Sequence, residues 1–82
     1  PVTGFKWAVG HTLCVAGVME SLFSLLAVRE SCVPGMATLE TPADDCQGIS
    51  LCQTTQKPLS PIAMIVTRGF GSLNSCLLIK AV

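Results

Sequence analysis

The chain has 82 residues, of which half are hydrophobic and only 12% are charged, with five basic and five acidic side chains. A chain of this length forms one domain and buries only about 60–65% of its unfolded surface, so its core is marginal. The mean hydropathy of +0.62 predicts an apolar surface covered by another protein chain, a second copy or a membrane surface. The basic residues are scattered singly, which excludes a nucleic-acid interface.

The first ten residues have an alternating pattern. Phe5, Trp7 and Val9 are separated by Lys6 and Ala8, and this spacing of two is typical of an extended strand. We expect a first strand here. Aromatic side chains are common at binding surfaces, so Phe5 and Trp7 are candidate contact residues.

A long apolar helix is predicted next, over residues 12 to 30. Thr12 is an acceptable N-cap, Arg29 suits the last turn, and Val33-Pro34-Gly35 ends the pattern. About 18 helical residues give a length of about 27 Å. This is the central element of the expected fold.

A narrow polar stripe, formed by Gly17, Glu20, Ser21 and Ser24, runs along this helix. We expect the stripe to face water while the apolar face packs on a sheet. A permanent membrane span is disfavoured, because Leu13 to Val28 is too short and has Glu20 near its centre. Insertion at a membrane interface remains an alternative. The candidate interface residues on the helix are Val15, Val18, Leu22, Leu25 and Leu26.

The segment from Gly35 to Pro61 is polar and rich in turn residues. Residues 36–39 and 49–51 are candidates for short strands or a helical turn, and Thr41-Pro42 resembles the start of a helix. A connection this long normally needs cross-links. Cys46 and Cys52 are placed to supply them.

The end of the chain predicts a β-hairpin. Two apolar runs, residues 61–67 and 76–82, flank a turn-rich stretch that contains Gly69 and Gly71. The predicted fold class is therefore α+β. It is a small single-domain sandwich in which the long helix packs on a small antiparallel sheet that ends in the C-terminal hairpin.

Five cysteines in so small a chain predict one or two disulfides and an oxidising compartment. The disulfide candidates are Cys32, Cys46, Cys52 and Cys76. The sequence does not determine which of them pair. Cys14 lies within the apolar run and is expected to be a buried free thiol or to bridge to a second chain.

Candidate chemistry is sparse. His11 and Cys14, three residues apart, are a possible thiol–imidazole pair at the start of the helix. Asp44 and Asp45 are adjacent, and we interpret them as solvated loop charges. The single His and the wide Cys46-Cys52 spacing argue against a metal site, and we expect no cofactor and no catalytic residue.

These observations predict a secreted, disulfide-stabilised, non-enzymatic protein with a toxin-like or effector-like role, acting on a partner protein or a membrane. The chain begins at Pro1, which suggests a processed mature fragment, with residues 1–82 forming one domain. Two alternatives remain. One is a structural subunit of a heteromer cut from a common precursor, and the other is a small thiol enzyme that uses Cys14 and His11.

Overall fold

A helix and a hairpin dominate the computed structural model, which covers residues 1–82. The chain forms a short helix α1 (Lys6–Val9), a 3-10 turn (Leu13–Val15), the main helix α2 (Ala16–Arg29) and a second 3-10 turn (Asp44–Cys46). Strands β1 (Ile62–Gly69) and β2 (Leu73–Lys80) follow and pair antiparallel. This order confirms an α+β domain, but the two-stranded sheet does not form the expected sandwich.

The hairpin confirms the prediction from the C-terminal sequence and extends it. The register runs from Ile62 opposite Lys80 to Gly69 opposite Leu73, so the turn is only three residues long. Gly71 and Ser72 both have left-handed backbone angles, with φ of 75° and 62°. A short turn of this kind needs such angles, which glycine adopts without strain.

The prediction of a first strand was wrong, because residues 6–9 form helix α1. The alternating pattern of Phe5 and Trp7 is real, but no strand lies alongside to pair with it. The Phe5 ring instead packs on Phe23 of α2, with ring centroids 5.0 Å apart. Tertiary packing here overrides a weak local preference for an extended chain.

The predicted long helix is confirmed, but it begins later than residue 12. The turn at Leu13–Val15 is 3-10, α2 proper begins at Ala16, and the Thr12 side chain makes no capping hydrogen bond. At the other end, Glu30 follows the last helical residue and Ser31 takes a left-handed angle, with φ of 52°. The helix therefore ends before Val33-Pro34-Gly35, the signal that predicted its end.

Two residues of the polar stripe of α2, Gly17 and Ser21, face the sheet rather than water, whereas Glu20 faces α1. A Cβ added to Gly17 would lie 3.7 Å from the Thr67 side chain on β1. Ser21 lines the same gap, and its hydroxyl donates to the Gly17 carbonyl oxygen at 2.7 Å. Small residues let α2 approach β1 closely, and the larger apolar residues of the helix are left exposed.

The connection between α2 and β1 is held near its ends by backbone hydrogen bonds. Val33 and Gln56 form an antiparallel bridge with N–H···O distances of 2.7 and 2.9 Å, and the Met36 N–H donates to Cys52 O at 2.9 Å. Neither 36–39 nor 49–51 forms a strand, which corrects that suggestion, but residues 36–39 close a turn in which the Leu39 N–H donates to Met36 O at 2.9 Å. The Thr41-Pro42 signal precedes the 3-10 turn at Asp44–Cys46.

The buried core is small. Only Val28, Val33 and Ile65 are buried, among 82 residues. The exposed large apolar side chains include most of those on α2 and on both strands. No helix combines the length and apolar character that crossing a membrane requires.

Candidate functional site

The loop between α1 and α2, residues 10–13, carries the chain's single histidine. The backbone N–H of Leu13 donates to Nδ1 of His11 at 3.0 Å. Because this nitrogen accepts a hydrogen bond, the neutral imidazole carries its proton on Nε2. The ring is exposed, so His11 presents an N–H donor that a ligand can reach.

The geometry around His11 depends on an unusual backbone conformation. Leu13 has a left-handed angle, with φ of 53°, although it is not a glycine and its side chain is 75% exposed. A branched residue in this region costs on the order of 1–3 kcal/mol, and such residues concentrate at functional sites. Gly10, on the other side of His11, has φ of 77°. Two left-handed residues thus flank the imidazole.

Two contacts hold α1 against α2 and so fix the loop between them. The Phe5 ring packs on Phe23, and Nζ of Lys6 lies 3.6 Å from Oε1 of Glu20. The cleft that these residues line has a volume of only about 10 Å³, so the two helical segments are closely packed here. Glu20, the single charge in the apolar run, therefore pairs with Lys6 at this junction.

The structure shows no thiol–imidazole hydrogen bond between His11 and Cys14. The Nδ1 atom of His11 is bound to the Leu13 N–H instead. The 3-10 turn at Leu13–Val15 places the two residues outside one regular helix. Cys14 is exposed rather than buried. Its bridging to a second chain stays a prediction.

All five cysteines are free thiols, so the disulfide-stabilised structure was a wrong prediction. Cys32 and Cys76 are exposed, and Cys46 and Cys52 are half-buried. The Sγ atom of Cys52 lies 3.2 Å from the Thr54 hydroxyl. Hydrogen bonds from the Thr54 side chain, and then from backbone N–H groups, lower the pKa of the Cys52 thiol.

The candidate interface residues lie on the two sides of α2. On one side, Val18, Leu22 and Leu25 line a groove of about 470 Å³ between the helix and the sheet. On the other side, a groove of about 410 Å³ is lined by residues that include Phe5, Trp7 and Leu26. Val15 is also exposed. Their role in binding a partner stays a prediction.

The remaining motifs form no site. Asp44 and Asp45 belong to an exposed 3-10 turn, and Gly69 and Gly71 lie at the hairpin turn. No three His, Cys, Asp or Glu side chains lie close enough together to hold a metal ion.

Comparison with known proteins places the chain near one class of enzymes. It is 31% identical over 75 residues to 3-oxoacyl-[acyl-carrier-protein] synthase 2 of Rhizobium meliloti, covering 92% of this chain and 18% of that protein. A putative polyketide β-ketoacyl synthase 1 of Streptomyces virginiae is 32% identical over 81 residues, covering 99% and 19%. The mitochondrial 3-oxoacyl-[acyl-carrier-protein] synthase of Arabidopsis thaliana is 34% identical over 79 residues, covering 94% and 17%.

The chain spans about a fifth of the length of these curated relatives. No protein-family model matches it, and no solved structure matches it significantly.

These similarities overturn the functional interpretation of the sequence. A secreted, toxin-like or effector-like, non-enzymatic protein was a wrong prediction, because the relatives are synthases and one of them is mitochondrial. The heteromeric structural subunit and the small thiol enzyme are set aside with it. The interpretation failed because five cysteines and a high mean hydropathy were taken as properties of a small, disulfide-stabilised, independent protein.

The residue that sequence reasoning undervalued is His11. It was considered only as a base for Cys14, whereas the structure makes it an exposed donor oriented by the Leu13 N–H. The available signal was the position of Gly10 and His11 directly before an apolar helix. The left-handed conformation of Leu13 has no counterpart in the sequence pattern.

Proposed function

We propose that this chain is a segment of a β-ketoacyl synthase, an enzyme that makes a 3-oxoacyl thioester on an acyl carrier protein. The proposal is supported by identity of 31–34% to three such enzymes over 92–99% of the chain. The structural observation that carries it is the setting of His11, an exposed residue whose Nδ1 accepts from the Leu13 N–H, which leaves the proton of the neutral ring on Nε2.

The chemistry of a 3-oxoacyl group explains why such a donor is useful. Joining two acyl thioesters creates a carbon–carbon bond between the α-carbon of one, which gives up CO₂ from an α-carboxylate or a proton, and the carbonyl carbon of the other, which gives up its thiolate. Negative charge then develops on a thioester oxygen before a thiolate leaves. A positioned N–H donor stabilises that charge, and loss of one such donor typically lowers kcat about 10²–10³-fold.

His11 meets the requirements for this role. Its tautomer is fixed by a backbone group, so the side chain need not reorganise when charge develops. The loop that carries it is held by the Phe5–Phe23 contact and the Lys6–Glu20 ion pair. We therefore assign His11 as a hydrogen-bond donor to the reacting thioester oxygen.

The test uses the full-length gene product that carries this sequence. It is incubated with two acyl thioesters of an acyl carrier protein, one of them activated at the α-carbon, and the 3-oxoacyl product is measured by mass spectrometry. His11→Ala is expected to lower kcat about 100- to 1,000-fold. His11→Gln, which keeps an N–H donor, recovers part of that loss.

Glu40→Gln is the matched control, because Glu40 is exposed in the connection between α2 and β1. It is expected to retain full activity. The proposal is overturned if the full-length protein makes no 3-oxoacyl product, or if His11→Ala is as active as Glu40→Gln.

A further inference from the structure

Helix α1 is a single turn, Lys6–Val9, and the loop that carries His11 follows it directly. None of its side chains is buried, and an isolated turn of this length is not stable in water, so tertiary contacts must hold it. No Cα atom of α1 lies within 8 Å of one in α2, so only side chains bridge the two helices. The Gly10 N–H donates to the Lys6 carbonyl oxygen at 2.8 Å, and through this bond the position of α1 determines where the chain enters His11.

The residues before α1 are tied to the connection between α2 and β1. The Thr3 hydroxyl donates to the Pro34 carbonyl oxygen at 2.6 Å, and the Val2 N–H donates to Ser50 O at 2.9 Å. These two hydrogen bonds fix where the chain enters α1. They lie on one side of the turn only, so they do not fix its rotation about its own axis.

Phe5 links the backbone of α1 to the side of α2. Its carbonyl oxygen accepts from the Ala8 and Val9 N–H groups at 3.0 and 3.2 Å, so the turn begins on this residue. Its ring lies 5.0 Å from the Phe23 ring, with the two planes inclined at 47°. Aromatic pairs favour offset or tilted arrangements with centroids about 4.5–7 Å apart. One residue therefore anchors both the main chain of the turn and its contact with α2.

The ring contact is well suited to orient α1. Phe23 lies in the middle of α2, a regular helix that packs on β1, and both rings are half-buried. A ring on two rotatable bonds loses little conformational entropy when it is held in place. The ion pair of Lys6 with Glu20 acts at the same junction through a long side chain that is 52% exposed. The two rings therefore define the angle of α1 more narrowly than the ion pair does.

We propose that Phe5 is a positioning residue for His11 and acts through its contact with Phe23. The inference rests on the proposed function, in which His11 donates to the reacting thioester oxygen. The ring contact sets the rotation of α1, and the turn sets Gly10. The next residue is the imidazole that accepts from the Leu13 N–H. A misplacement of about 1 Å at a catalytic group can lower the rate about 100-fold.

Steady-state kinetics of the full-length gene product test this role. Phe5→Leu keeps an apolar side chain but removes the ring, and it is expected to lower kcat about 10- to 100-fold with KM changed less than about twofold. Phe23→Leu breaks the same contact from α2 and gives a similar loss. Phe5→Tyr keeps the ring and is expected to retain kcat within about threefold. A kcat of Phe5→Leu within about twofold of the wild type overturns the proposal.

A double-mutant cycle separates positioning of His11 from a general loss of stability. In the His11→Ala background, Phe5→Leu is expected to lower kcat by no more than about twofold, because the group it positions is absent. Ile65→Val is the control, since Ile65 is buried on β1, away from α1, and the substitution lowers stability. It is expected to retain wild-type kcat. A loss in Ile65→Val as large as in Phe5→Leu, or a full effect of Phe5→Leu without His11, overturns the proposal.

Nitrogen NMR of the same protein, labelled in its histidines, reports the tautomer of His11 without any turnover. The wild-type ring is held with Nδ1 as the acceptor, and His11→Gln identifies its two signals by their loss. Phe5→Leu is expected to weaken the bond to the Leu13 N–H, so that the proton is shared and the two signals move toward each other. Unchanged signals overturn the proposal.

Two further outcomes are distinguished by this design. If Phe5→Leu does not fold, Phe23→Leu removes the same contact and is measured in its place. If the wild-type protein makes no 3-oxoacyl product, the proposed function fails, and the nitrogen spectrum still decides whether Phe5 positions His11.

Discussion

The Nζ atom of Lys6 lies 3.6 Å from Oε1 of Glu20, and this ion pair joins α1 to α2 at the loop that carries His11. The two side chains are 52% and 21% exposed, so water and salt screen the pair. It explains why a carboxylate stands in an otherwise apolar helix. A single exposed pair contributes little to stability, and its main effect is to orient the junction.

The weakness of this ion pair is testable with a double-mutant cycle. Lys6→Met, Glu20→Gln and the double variant are compared with the wild type by urea unfolding at low and high salt. We expect a coupling free energy below about 1 kcal/mol that decreases with salt. A coupling above about 2 kcal/mol that is insensitive to salt would show instead that the pair is desolvated.

Gly35 occupies a position that no other residue fits. A Cβ at this residue would overlap the backbone carbonyl groups of Gln53 and Thr54. Gly35→Ala therefore forces the two segments apart beside the Val33–Gln56 bridge, at an expected cost of about 1–3 kcal/mol. Gly4→Ala is the control, since no atom lies within 4 Å of its Cβ position. Urea unfolding measures the free energy of unfolding of both variants. If Gly35→Ala is as stable as the wild type, residue 35 does not approach the carbonyl groups of Gln53 and Thr54 this closely.

Because Leu13 has a left-handed conformation, we expect glycine at this position to be more stabilising than alanine, the reverse of their usual order in helical segments. Within a helix, alanine normally makes the folded state about 1 kcal/mol more stable than glycine does. At residue 13, where φ is 53°, glycine is free of the Cβ clash that alanine retains. We expect Leu13→Gly to be about 1 kcal/mol more stable than Leu13→Ala. Thermal unfolding gives the Tm of the two variants. A higher Tm for Leu13→Ala would show that residue 13 is not left-handed.

Cys52 is expected to be the thiol whose reactivity depends on a neighbouring hydroxyl. Thr54 stabilises the thiolate and lowers the pKa of Cys52, so the alkylation rate rises at a lower pH than for an ordinary thiol. Thr54→Val raises this pKa and moves the midpoint of the rate profile to higher pH. The profile is followed by peptide-resolved mass spectrometry. Thr55→Val, one residue further on, should leave it unchanged, and equal profiles for both variants would exclude the proposed hydrogen bond.

The hairpin and the long helix were predictable because their signals are local. Two apolar runs around Gly69 and Gly71 define a hairpin, and the apolar run from Leu13 defines a helix. The side of the helix that faces the sheet was not predictable in the same way. Glycine and serine on a helix suggest a solvated face, yet at Gly17 they permit close approach to Thr67.

The function was misjudged because the sequence pattern does not separate a small independent protein from a segment of a larger one. An apolar helix and five cysteines fit a secreted protein, and they equally fit a layer covered on both sides. The hydrogen bond that His11 accepts comes from Leu13, two residues away, whose backbone angle is left-handed. Such an angle depends on packing around the loop and has no residue-type signal here.

The close approach of α2 to β1 near Gly17 and Thr67 affects how the chain folds. The hairpin closes over a three-residue turn, and such hairpins form in about 1–10 μs. Docking of α2 joins residues fifty positions apart, so it must first close the intervening chain, at an entropic cost that grows with loop length. The bridge between Val33 and Gln56 shortens that search once it forms. We therefore expect the hairpin to form early and the helix to dock in a slower, later step.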